Sequence, residues 1–135
     1  MTWRAALVRI STYDVDELRK RLAAILDRRT ALDMKLVMLA AEAEAELRHA
    51  DRDAELRFYR AGFMQGVKVR REAILADIEL VKQEEAGARD ALSQAFEAQK
   101  KFERVAEIAR IAEVKQAARV EMAEMDELGL RAKRA

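Results

Sequence analysis

The feature that most constrains this chain is a run of apolar residues spaced alternately three and four apart. Val15, Leu18, Leu22, Ile25, Leu32, Leu36, Leu39 and Ala43 follow that rule, with Arg29 as the one polar break. On a helix this spacing gathers the side chains into one narrow stripe, the seam of a coiled coil. Charged residues fill the flanks. Asp16 with Lys20 and Glu17 with Arg21 stand at i, i+4 with the acid first, the favoured order. Such pairs contribute only ~0.2–0.5 kcal/mol each, so a helix over about Ala5 to Arg48, roughly 65 Å long, must be held by packing.

A second stripe runs through Phe63, Val67, Ile74, Ile78, Val81, Ala88, Leu92, Ala95, Phe102, Val105, Ile108, Ile111, Val114, Ala118, Met122, Met125 and Leu128. Glu85 and Gln99 interrupt it. From Phe102 to Val114 every step is three, which rotates the apolar face around the helix and predicts contact with more than one neighbour. Gly87 lies inside this helix, either as a bend or close approach or as a tolerated accident.

Two stretches can hold the connection. RHADRDAE (48–55) offers Asp51 or Asp53 as an N-cap, and AGFMQG (61–66) has two glycines. The first is preferred, because Phe63, Val67 and Ile74 carry the later stripe back past both glycines. The expectation is an all-α fold. Residues 1–135 form a single domain, two long helices in an antiparallel coiled-coil hairpin with the connection within 48–66.

Composition agrees. Among 135 residues there is no proline, and 38% are charged for a net of +1. That profile suits long helices, and the charge balance argues against nucleic-acid binding. Without cysteine there is no disulfide framework and no thiolate metal site. No apolar run approaches the ~18 residues that span a bilayer, and the N-terminus lacks a signal-peptide pattern, so the chain reads as soluble and intracellular. His49 and Asp53 form an i, i+4 pair, too few ligands for zinc. No phosphate loop, nucleophile elbow or paired carboxylates in a cleft occur, so neither an enzyme nor a cofactor is expected. The basic cluster VKVRR (67–71) reads as a solvated face, ahead of an acidic protein partner and, last, RNA or a membrane.

The chain ends in RVEMAEMDELGLRAKRA, with much apolar surface and little chain left to cover it. Met122, Met125 and Leu128 are expected partly to pack on the N-terminal turns around Leu7, Val8 and Ile10, and partly to meet a partner. Methionine adapts to varied surfaces, and Arg119, Asp126, Glu127 and Arg131 would orient that partner by charge. Ordinary packing within the hairpin is the plain alternative. Trp3 reads as an anchor or as a half-exposed cap.

Three stretches carry a family resemblance. VDELRKRLA (15–23) resembles the N-terminal signature of the flagellar FliJ family. FYRAGFMQ (58–65) is similar to its aromatic stretch after the central break. RVEMAEMDEL (119–128), with Arg131, resembles its C-terminal motif of Arg, an acid two residues on (Glu121), then Met-Asp-Glu. The chain departs in a shorter central break, in Gly62 and Gly66, and in Arg70 and Arg71 where an apolar face would be expected. The Met-Asp-Glu motif favours the flagellar branch over the injectisome counterpart.

The resemblance implies a hairpin similar to the central stalk of the rotary F1 ATPase, monomeric alone, working in flagellar protein export. Its terminal end would enter and activate the hexameric flagellar export ATPase through Arg119, Glu121, Met122, Met125, Asp126, Glu127, Leu128, Arg131 and Leu7. Phe63, Val67 and Ile74 would touch the cytoplasmic domain of the membrane export gate. Export chaperones would be escorted. The place implied is the cytoplasm, peripherally at the inner face of the plasma membrane at the flagellar base, without insertion. The alternative is a generic coiled-coil scaffold or homodimeric adaptor unrelated to secretion.

Overall fold

A computed structural model describes residues 2–134. Two helices account for nearly all of them. α1 spans Trp3–Arg52, 50 residues, and α2 spans Arg60–Arg134, 75 residues. They pack against each other as an all-α hairpin, with no strand among the described residues.

Local chemistry sets the ends. Thr2 caps α1, its Oγ1 accepting from the Ala5 N–H at 3.3 Å. His49 and Arg52 close its last turn, where cations suit the helix dipole. The expected Ala5 to Arg48 therefore gains a turn at its C-terminal end. The helices part at residues 53–55, followed by a short 3-10 helix, Leu56–Tyr59. Asp51 and Asp53 clasp this corner and do not cap α2. Asp53 Oδ1 accepts from the Glu55 N–H at 3.0 Å, and Asp51 Oδ1 accepts from Arg60 at 2.8 Å. α2 runs through Gly62, Gly66 and Gly87 without interruption. At Gly87 a Cβ would meet nothing within 4 Å, so no neighbour requires a glycine there.

Contacts divide the chain into two units: residues 17–92, and the described parts of 1–16 with 93–135. In the first, the two apolar stripes face each other. Ile25, Val81 and Ala88 form the buried cluster, with Leu22 and Leu32 packed on it. Leu39 and Ile78 are buried too, while Leu18, Leu36, Ala43, Phe63, Val67 and Ile74 are half-buried. The polar breaks of the two stripes meet: Arg29 Nη1 donates to Glu85 Oε2 at 2.5 Å, and Arg89 pairs with the other Glu85 oxygen at 2.9 Å.

In the second unit, Val15 is the most buried side chain, at 1% exposure, and Ser11 beside it donates to the Val8 carbonyl at 2.8 Å. Gln99, the other break in the second stripe, donates to Thr12 Oγ1 at 3.2 Å. Beyond it the seam departs from the expected course. Phe102, Ala106 and Ala109 face inward, continuing the heptad spacing of 92, 95 and 99, whereas Val105 and Ile108 are exposed. The face does not rotate; the inner seam passes to alanines, and the large apolar residues occupy a different side of α2.

Candidate protein-docking site

The candidate site lies on α2 within the unit built from both chain ends. Two contacts fix its register with α1: Gln99 to Thr12, and Glu113 to Arg4 Nη2 at 2.7 Å. The ion pair holds the Glu113 carboxyl below its ordinary range and raises Arg4, the direct hydrogen bond being the larger cause in both. Since α1 begins at Trp3, no turn of it remains opposite α2 beyond this rung. Every residue from 110 to 134 is exposed.

This overturns one expectation. Met122, Met125 and Leu128 do not pack on Leu7, Val8 and Ile10: they are 67%, 72% and 61% exposed. Leu7 and Val8 are half-buried between the Thr12 and Arg4 rungs, and Ile10 is itself exposed. The nine residues from Glu113 to Met122 correspond to about 13 Å of helix. The N-terminal turns end before they could reach that far.

The three side chains instead extend an outer stripe. Ile108, Ile111, Ala118, Met122 and Met125 follow heptad spacing on the side of α2 away from Phe102, Ala106 and Ala109. Leu128 lies at its edge in a surface recess of about 250 Å³ lined by Glu124, Glu127 and Arg131. Glu127 and Arg131 form an ion pair at 3.0 Å. Arg119, Glu121 and Asp126 stand exposed on the same stretch of α2. The structure thus gathers all the proposed terminal residues except Leu7. Exposed methionine and leucine framed by both signs of charge have the composition of the apolar anchors that supply most of the energy of helix-in-groove contacts.

Sequence reasoning missed a matching stripe on α1. Trp3, Ile10 and Tyr13 are 62%, 58% and 63% exposed, and with Ala6 they follow the same three-four spacing. The spacing was legible, but it was masked by the stronger inner stripe.

The residues expected to touch a membrane gate lie in the other unit. Phe63, Val67 and Ile74 face α1 and are half-buried. Phe63 lines a recess of about 340 Å³ with Glu46, His49 and Tyr59. More accessible are Phe58 and Tyr59, stacked edge-to-face at 5.8 Å and 87% and 67% exposed. Among the described residues no group of three or more His, Cys, Asp or Glu could hold a metal, and no helix is long and apolar enough to cross a membrane.

No protein-family model and no solved structure matches the chain. Two curated relatives are similar, both called Flagellar FliJ protein and both from strains of Caulobacter vibrioides. Each is 50% identical over 129 residues, covering 96% of this chain and 93% of the relative. Identity at half the positions over almost the whole chain establishes that it belongs to the flagellar FliJ family.

Proposed function

We propose that this chain is a non-enzymatic component of flagellar protein export. It binds the hexameric export ATPase through the exposed end of α2 and activates it. It links that ATPase to the cytoplasmic domain of the export gate through the region of Phe63, Val67 and Ile74, and escorts export chaperones. It acts in the cytoplasm at the inner face of the membrane beneath the flagellum. Family membership supports the flagellar setting. The observation that carries the ATPase contact is the solitary course of α2 over 110–134, with Met122, Met125 and Leu128 held in water. Apolar side chains left exposed in a row are a surface awaiting a partner.

Hydrolysis by the purified export ATPase tests this directly. Addition of the chain should raise the rate. The triple variant Met122→Gln, Met125→Gln, Leu128→Gln should lose at least half of the stimulation, while its helix content and melting stay unchanged, because glutamine is a good helix former and the sites are exposed. Equal stimulation by variant and parent would remove this end of α2 from the contact.

A further inference from the structure

A groove in the unit of residues 17–92 has a charge pattern that the terminal-end reading does not use. Three cross-helix rungs stand at seven-residue intervals along one side of the hairpin. Arg28 pairs with Glu84, and Glu42 pairs with Arg70 at 3.8 Å. The middle rung, Lys35 and Asp77, forms no ion pair with a described residue. There the surface opens into a recess of about 370 Å³, floored by Leu32 and Val81 and rimmed by Ala31 and Leu80. Leu80 is 59% exposed. Met34 and Met38, 55% and 57% exposed, extend the apolar surface along α1 from Ala31.

At the recess the walls differ in sign: α1 contributes Arg28 and Lys35, with Arg21 one heptad earlier, and α2 contributes Asp77 and Glu84; one heptad on, at Glu42 and Arg70, the signs are exchanged. One charge per heptad beside an apolar floor is the pattern by which coiled-coil strands select a neighbour. The small side chain of Ala31 leaves room for a backbone to approach. We propose that this groove receives a third strand, an amphipathic helix of a partner protein. Its apolar ridge sits on Leu80 and Ala31, its acidic edge meets Lys35, and its basic edge meets Asp77. Charge complementarity on two opposed walls selects such a helix over one of uniform sign.

The inference stands apart from the ATPase contact and is tested without it. Labelled synthetic helical peptides of three heptads would carry a Leu/Ala ridge and edges that are Glu on one side and Lys on the other, Glu on both, or Lys on both. The full chain should bind the mixed peptide at least tenfold more tightly than either uniform one. Lys35→Glu makes the middle of both walls acidic, so the preference should pass to the all-Lys peptide, a change that mere unfolding cannot produce. Leu80→Lys should abolish binding of all three. Equal affinities, no binding, or insensitivity to Lys35→Glu would overturn the proposal. So would a dimer of the chain alone that Leu80→Lys dissolves, since the groove would then belong to a second copy.

Discussion

Arg29 and Glu85 are each the charged residue in an otherwise apolar stripe, and they lie at the same level of the hairpin. Their side chains are 37% and 11% exposed, so the carboxylate is the more enclosed partner. Hydrogen bonds from Arg89, the larger influence, and from Arg29 hold the Glu85 carboxyl below its ordinary 4.5. A carboxyl lowered on folding contributes stability above its unfolded value and loses it as the pH falls through the folded one. The contribution of Glu85 is therefore complete at neutral pH and fades below 4.5. Urea midpoints of the parent and of Glu85→Gln, compared from neutral pH down to about 3, should differ most at neutrality and converge in acid. Replacing the charge alone strands Arg29. The double variant Arg29→Leu, Glu85→Leu should recover the lost stability, since apolar residues commonly replace an enclosed ion pair without penalty. At Gly87 the surroundings are open and the backbone is helical, so Gly87→Ala should stabilise by about 0.5–1 kcal/mol, read as a higher urea midpoint.

The elements divide by what covers them. In residues 17–92 the seam is closed on Ile25, 3% exposed, and Ile25→Ala should cost about 2–5 kcal/mol, towards the low end because a two-helix layer relaxes readily around a deletion. Met125→Ala, at a site 72% exposed, should change stability by no more than about 0.5 kcal/mol. A helical segment without tertiary packing is marginal in water at lengths near ~15 residues. Amide hydrogen exchange should therefore be at least about tenfold faster over 116–134 than over 78–92, where Ile78, Val81 and Ala88 are buried. Matching protection in both stretches would mean that α2 is held at its end by something other than α1. The inner heptad of α2 was only partly visible in the sequence. Ala106 and Ala109 carry it, and alanines give little pattern beside Val105 and Ile108, so the larger residues were assigned to the seam they flank.

For the molecule as a whole, the hairpin reading and the scaffold reading part in solution. Sedimentation equilibrium should give a monomer of 15.4 kDa; a stable dimer would favour a generic coiled-coil scaffold. The sequence by itself determined that two long helices form and which residues line most of their common seam. Those outcomes rest on local spacing, charge pairing and turn chemistry, each of which acts within a few residues. It also carried the likeness that led to the family. Only the tertiary structure decided the register between the helices. Register is a sum of contacts between residues far apart in the chain, such as Arg29 with Glu85 and Arg4 with Glu113, and no local pattern encodes it. That register exhausts α1 before α2 ends, and so it decided that Met122, Met125 and Leu128 face water and not the first turns of the chain.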